Sequence, residues 1–219
     1  MRTPLPPRAA YELWAETYPA VAHNPVMRAE QSVVEPLLRR VRARRALDVG
    51  TGSGRYLSIL SSTGARVVGI DLSMAMLSQS GAAPRVCADA HALPFGRAAF
   101  DLVNASLMVG DVANLRDWTR ELARVLAPGG QLVYSDFHPT WSEHGWRRTF
   151  KTAAGDEHEI AIEPHTIEDH LAAIEAAGLR AITIREPRVA DDPDPAVKAF
   201  QRRWGCPRVV VAFHAIKTP

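Results

Sequence analysis

Ala46-Leu47-Asp48-Val49-Gly50-Thr51-Gly52-Ser53-Gly54 joins a short apolar run to a carboxylate and then to three glycines at alternate positions. Apolar residues resume at Tyr56, Leu57, Ile59 and Leu60, a helical spacing. The pattern predicts a buried parallel strand, a tight turn and a helix that starts at the turn. Glycine suits the turn because a side chain would keep a ligand off the backbone, and because positive φ costs glycine little. Such a loop holds a small polar molecule over the carboxyl end of a sheet.

The spacing bears on which molecule that is. Dinucleotide folds use G-x-G-x-x-G, which turns a helix N-terminus toward a pyrophosphate. Here the order is Asp48-x-Gly50-x-Gly52-x-Gly54, with an acid closing the strand. A carboxylate repels a pyrophosphate and suits an ammonium group. The stretch resembles the first motif, D-x-G-x-G-x-G, of the class I S-adenosylmethionine-dependent methyltransferases.

Further motifs carry the resemblance in the same order. Arg66-Val67-Val68-Gly69-Ile70-Asp71 reads as a second strand ending in an acid. The family uses that acid for the ribose hydroxyls, a task for an ionised acceptor facing O–H donors. Leu72 follows, then Ser73 as a helix N-cap, then Met76, which is open to two roles: an apolar wall of the cofactor site or core filler. A third strand near Arg85-Val86-Cys87, with Cys87 expected to be buried, leads to Asp89-Ala90-His91-Ala92-Leu93-Pro94-Phe95. That segment resembles the family's D-x-x-x-L-P-F loop, which implies that Asp89 accepts from the adenine amino group and the Ala90 N–H meets the ring. Phe100-Asp101-Leu102-Val103-Asn104-Ala105 reads as a fourth strand, and the resemblance sets Asn104 to Ser106 beneath the methionine end. Leu126-Ala127-Pro128-Gly129-Gly130 resembles L-x-P-G-G before a fifth strand.

The implied architecture is α/β: a Rossmann-like, seven-stranded, mostly parallel sheet with an antiparallel last strand, helices on both faces and an N-terminal helical lid. Residues 1–43 are expected to form the lid, 44–136 the cofactor-binding half, 137–165 a substrate-covering insert, and 166–219 a C-terminal helix and edge hairpin. Within the last part, Ile167 to Ala177 is amphipathic and stops at Gly178. The strands expected at Arg180–Arg185 and Arg208–Ala215 are linked by a proline-rich stretch, Pro187 to Pro207, that could cover the pocket but is expected to lie at the surface.

Composition agrees with one enzyme domain. The chain has 219 residues, 47% of them hydrophobic and 23% charged, with a net charge of +2. These values are ordinary for a globular protein. No apolar run approaches the roughly 20 residues that span a bilayer, and Met1 to Pro7 lacks the apolar core of a signal peptide. Two cysteines, Cys87 and Cys206, give no disulfide framework, so the expected compartment is the cytoplasm. Arg39, Arg40, Arg42, Arg44 and Arg45 crowd the approach to the first strand. Cations at a helix C-terminus account for them, and they enter at the end of the sheet opposite the glycine turn, so no nucleic-acid partner is expected.

The acceptor must be read from the remaining segments. Tyr11, Leu13, Trp14 and Tyr18 cluster on a first N-terminal helix, and Val33, Val34, Leu37 and Leu38 stripe a second. The resemblance implies that this region closes over the cofactor. Aromatic faces suit a sulfonium cation. For Tyr11 and Tyr18 that role and simple packing both stay open, while Trp14 reads as packing. Phe137 to His165 holds Phe137, His138, Trp141, His144, Trp146 and Phe150, an unusual density for a solvated loop. Phe137, Trp141, Trp146, Ser106, Met108 and Tyr11 are therefore the candidate acceptor contacts. Methyl transfer is an in-line displacement governed by alignment, with a base needed only for a nucleophile that must lose a proton. His138 is open to two roles: the candidate base, or a hydrogen-bonded histidine that shapes the pocket.

No metal is expected. Asp111, Asp136 and His138 could converge, but no spacing demands it, and zinc spacing and a nucleophile elbow are both absent. The expected protein is a monomer or homodimer that uses S-adenosylmethionine, releases S-adenosylhomocysteine and methylates a small organic molecule, in natural-product biosynthesis. A carrier-bound or quinone-like acceptor, or a non-catalytic cofactor-binding role, are the alternatives. The sequence does not separate nitrogen, oxygen and carbon acceptors.

Overall fold

Leu47 and Val49 face one side of the first strand and Ala46 the other, and all three are shielded from water. Burial on both faces follows from parallel neighbours on either side. The computed structural model describes residues 3–81, 83–189, 194–205 and 207–218. In chain order its elements are α1 (Pro7–Trp14), α2 (Pro25–Arg40), β1 (Arg45–Val49), α3 (Leu57–Ser62), β2 (Arg66–Asp71), α4 (Met74–Gln79), β3 (Arg85–Cys87), β4 (Phe100–Ser106) and α5 (Leu115–Val125). There follow β5 (Leu126–Phe137), α6 (Thr140–Glu143), β6 (Arg148–Lys151), β7 (Glu157–Ile160), α7 (Ile167–Ala176), β8 (Leu179–Arg185), α8 (Pro195–Trp204) and β9 (Val210–Lys217).

The main sheet runs β3-β2-β1-β4-β5-β9-β8. β1 to β5 are parallel, and β9 lies antiparallel to both β5 and β8. This is the seven-stranded architecture the motifs imply. Strand order reverses between β1 and β4, so the loops leaving their carboxyl ends diverge and open a crevice there.

Alternation along the strands builds two cores. Leu132, Tyr134 and Phe213 meet Trp118 and Leu122 of α5 and Ile174 of α7. Val133 and Ala212 point the other way, against Val34 and Leu38 of α2 and Leu60 of α3. α7 starts with a capping box, Thr166 and Asp169 each bonding the other's backbone N–H. At the amino end of β1, the backbone N–H groups of Arg44 and Arg45 donate to Asp101 Oδ2 at 3.0 and 2.9 Å. The arginine run thus lies at the end of the sheet opposite the crevice.

Three expectations need correction. Cys87 is exposed, because β3 is a three-residue edge strand; Cys206 lies outside the described residues. The segment between β8 and β9 is not only surface linker: Asp194 caps α8 by accepting the Ala196 N–H at 2.7 Å, and Val197 is buried. The insert is not a cover over the crevice along its whole length. Trp141 and Trp146 turn away to pack with Val209, Val210 and Phe200. β6 and β7 form an antiparallel hairpin that docks on the N-terminal segment. There Leu5 N–H donates to Glu159 O and Ala161 N–H to Leu5 O, at 2.8 and 3.0 Å, and Phe150 stacks on Trp14 at 5.0 Å. Among the described residues no helix is long and apolar enough to cross a membrane.

Trp118 tests this layering. It is fully buried, with its ring 5.5 Å from that of Tyr134. Trp118→Ala is expected to cost about 3–5 kcal/mol, or roughly 6–20 °C in Tm for a chain of this size, by thermal unfolding. A loss below about 1 kcal/mol would contradict the packing described.

Candidate active site

The crevice is a cleft of about 280 Å³ whose walls include the glycine turn, the ends of β2 and β3, the β4 loop and α1. Gly50 and Gly52 adopt φ +65° and +55°. A Cβ on Gly50 would stand 2.9 Å from Met108 Cβ, and one on Gly52 would stand 3.1 Å from Met76 Cε. Only glycine permits that approach without displacing neighbours. Gly54 serves the fold instead, letting α3 pack near Ser80.

Asp71 ties the turn to β2. Its Oδ2 accepts the Gly52 N–H and its Oδ1 the Ser73 N–H, each at 2.9 Å. Burial pushes this carboxyl up, and N–H donors from Ser73, Gly52 and Leu72 pull it back. Leu72 and Met76 line the cleft beside it. Asp89 and Ala90 line the next section. The Asp89 carboxyl is held below its usual range, chiefly by the His91 N–H that it accepts at 2.8 Å.

Asp48 lies behind the turn, accepting from Thr51 Oγ1 and Asn104 Nδ2, each at 2.7 Å. Burial pushes it up to about 6 despite both donors. With Tyr18, Gly50, Arg55 and Ser106 it borders a small recess. Asn104 is fully buried and acts one layer back, fixing Asp48 and accepting from Ser106 Oγ at 3.2 Å.

The lid closes the other wall. Tyr11 and Tyr18 both line the cleft, with rings 6.5 Å apart. Trp14 packs behind them between Tyr18 and Phe150. α2 contributes Glu30, wholly buried, whose Oε2 accepts from Arg55 Nη1 and the Tyr56 hydroxyl at 2.7 Å each. Its Oε1 accepts from Ser135 Oγ at 2.8 Å. Burial alone would lower the Arg55 guanidinium, but Glu30 together with Tyr56 and Tyr18 more than offsets it. Arg55 thus brings a fixed positive charge to the cleft. Glu30 and Arg55 are absent from the sequence candidates, although Glu30 shares the buried helical stripe of Val26, Val34 and Leu37.

On the β4 side, Ser106, Met108 and Asp111 line the cleft. Asp111 pairs with Arg148 of β6, which is 7% exposed and also donates to Ala161 O at 3.0 Å. The Arg148 guanidinium lies 5.7 Å from the Phe137 ring and 5.9 Å from that of Tyr11. Phe137 therefore supports the wall rather than forming it.

The structure does not bring His138, Trp141 or Trp146 to the cleft. The ring nitrogens of His138 bond Thr140 Oγ1 at 3.0 Å and Glu186 Oε2 at 2.9 Å, in a separate open pocket. Trp141 Nε1 donates to Val209 O at 2.8 Å. The strand-end position of His138 is right, but β5 extends to Phe137 in register with β9 and carries the next residue past the crevice. Asp136 pairs with His170 and Asp111 with Arg148, so with His138 they do not converge. No group of three potential ligands is placed for a metal among the described residues.

Asp48 and His138 yield measurable expectations. Asp48 titrates at about 6 in the folded chain, against roughly 3.9 unfolded. A raised folded value favours the protonated form, so its stabilising effect is complete below about pH 4, is lost as pH rises toward 6, and stays lost above. Relative to Asp48→Asn, the wild-type protein should therefore lose about 3 kcal/mol between those limits in urea unfolding at stepped pH. A constant difference would refute the burial argument. His138→Ala should leave affinity for S-adenosylmethionine unchanged, because the ring lies outside the cleft; a tenfold loss by calorimetry would reverse that assignment.

Residues 47–134 match the methyltransferase domain family. The biotin biosynthesis bifunctional protein BioHC of Cellvibrio japonicus is 37% identical over 100 residues, 43% of this chain and 20% of that one. The demethylmenaquinone methyltransferase of Mycobacterium bovis is 38% identical over 96 residues, covering 43% of this chain and 41% of its own. This chain thus spans less than half the length of these curated relatives. A putative S-adenosylmethionine-dependent methyltransferase from Listeria monocytogenes shares the fold, with a TM-score of 0.72, 19% identity, and coverage of 88% of this chain and 98% of that one. With the glycine turn, the strand-end acids and the sheet order, residues 47–134 resemble the methyltransferase domain family, and the chain as a whole shares the fold of the Listeria protein.

Proposed function

We propose that this protein moves a methyl group from S-adenosylmethionine to a small organic acceptor, in a biosynthetic reaction. One observation carries the reading: the glycine turn, Asp71 and Asp89 open on one cleft that Tyr11 and Tyr18 roof. The close backbone approach at Gly50 and Gly52 fits a ligand laid across the turn. Asp48 faces its ammonium group, Asp71 the ribose hydroxyls, and Asp89 with the Ala90 N–H the adenine. Leu72 and Met76 pack against the base, and the tyrosine faces meet the sulfonium.

The bound donor supplies an electrophilic methyl on a cationic sulfur. The chain's own work is orientation and exclusion of water. Trp14 stacked on Phe150 holds the lid to the hairpin, and the Glu30 hub holds α2 to the glycine turn. The demethylmenaquinone methyltransferase match covers 96 residues, similar in extent to the family segment 47–134. It supports the donor assignment and carries no weight for a quinone acceptor.

Calorimetry should detect binding of both S-adenosylmethionine and S-adenosylhomocysteine. Asp89→Ala should weaken both by roughly tenfold or more, the worth of a hydrogen bond to a charged group. Absence of binding to the wild-type chain would overturn the reading.

A further inference from the structure

The acidic groups of the cleft divide by strand. Asp71 and Asp89 stand at the ends of β2 and β3 and accept backbone N–H groups. Asp111 is the one cleft-lining carboxylate on the β4 side among the described residues. It ends a short turn, Val109–Asp111, that is locked to the donor loop, since Met108 fills the space where a Gly50 side chain would stand. Asp111 N–H donates to Met108 O at 3.1 Å, and Glu163 N–H donates to Gly110 O at 2.8 Å. Arg148 fixes the carboxylate from behind. Nε and Nη1 of that guanidinium are buried and find no partner among the described residues, so its charge is focused on Asp111 and the adjoining rings.

No other group at this end is suited to take a proton near neutrality. Burial pushes the Tyr11 and Tyr18 phenols up, Arg55 is held cationic by Glu30, and His91 sits 3.1 Å from Asp89 on the adenine side. His138 faces away. Asp111 is raised by burial, and Arg148 and a hydrogen bond from Tyr11 oppose that while Asp136 adds to it.

Resting on the methyl-transfer reading above, we propose that Asp111 is the catalytic base and that the acceptor is a neutral conjugated hydroxyl, a phenol or enol. The acceptor O–H bond breaks and its proton passes to an Asp111 oxygen. The oxygen pair forms the new O–C bond, and the S–C pair stays on sulfur, leaving a neutral thioether. An arylamine, uncharged at neutral pH, attacks through its own lone pair and needs no base beforehand, and an alkylamine would enter as an ammonium beside the Arg148 cation. A carboxylate acceptor is already ionised and would meet Asp111 as a like charge. A phenol, with a pKa near 10, keeps its proton at neutral pH and needs a base in place. Arg148 is a positioning residue that keeps Asp111 ionised and aimed.

The test compares phenol with 4-nitrophenol, using labelled S-adenosylmethionine at an alkaline pH where only the nitrophenol is ionised. Asp111→Asn should lower phenol turnover by about 100-fold or more, remove the acidic limb of its pH profile, and leave nitrophenol turnover within about threefold, at unchanged cofactor affinity by calorimetry. The groups facing Asp111 in that profile are Tyr11 of α1, Arg148 of β6 and Asp136 of β5. If stranding Arg148 unfolds that variant, Arg148→Lys retains the charge and should lower kcat for phenol more than for nitrophenol. Equal losses on both acceptors would overturn the proposal, as a structural role lowers them together. So would a wild-type protein that binds the cofactor yet methylates neither phenol, or prefers aniline or benzoate. Failure to bind the cofactor at all would instead sink the methyl-transfer reading beneath it.

Discussion

A single carboxylate, that of Glu30, ties α2 and β5 to the segment that follows the glycine turn. It belongs to α2, and its oxygens take donors from Arg55 and Tyr56 beside the glycine turn and from Ser135 on β5. A buried charge without partners is strongly destabilising, so α2 docks in the one position that satisfies all three. The same contacts fix Arg55, which would otherwise swing on a long side chain. Buried ion pairs add little net stability compared with apolar packing. Their value here is geometric: the lid, the donor loop and the central strand share one register.

The acids of the proposed donor half are legible in the sequence because their placement is set by backbone positions. Asp48, Asp71 and Asp89 fall at or just beyond the carboxyl ends of β1, β2 and β3, and a parallel sheet gathers those ends on one edge. The acceptor half depends on partners distant in sequence. Trp141 and Trp146 look like pocket walls, and only the presence of Val209, Val210 and Phe200 beneath them makes them core. Aromatic density is equally typical of interiors and of binding sites. Asn104 shows a subtler limit. It lies at the expected strand, yet its side chain turns to Asp48 instead of the cleft.

Two signals that would have corrected the reading were present in periodicity. Glu30 follows Val26 and precedes Val34 at four-residue steps, and all are buried. Arg148 alternates with Phe150 along β6, inward at both, while Thr149 and Lys151 face out. In each case a charged residue occupies an apolar phase of its element. Such a residue folds only with a buried partner, here Arg55 for one and Asp111 for the other. An out-of-phase charge therefore marks a functional wall more reliably than an aromatic cluster does.

Asp48 carries this logic into energetics. Its carboxylate is held in a recess that disfavours charge, with two donors too few to offset burial. Near neutral pH that burial costs the fold stability. A ligand with an ammonium group would meet a carboxylate already desolvated and oriented by Thr51 and Asn104. Burial raises Asp111 as well, but there a cationic partner, Arg148, opposes the shift. On the proposed reading, Asp48 would meet a cation, and Asp111, already facing Arg148, a neutral partner that becomes charged only as it reacts.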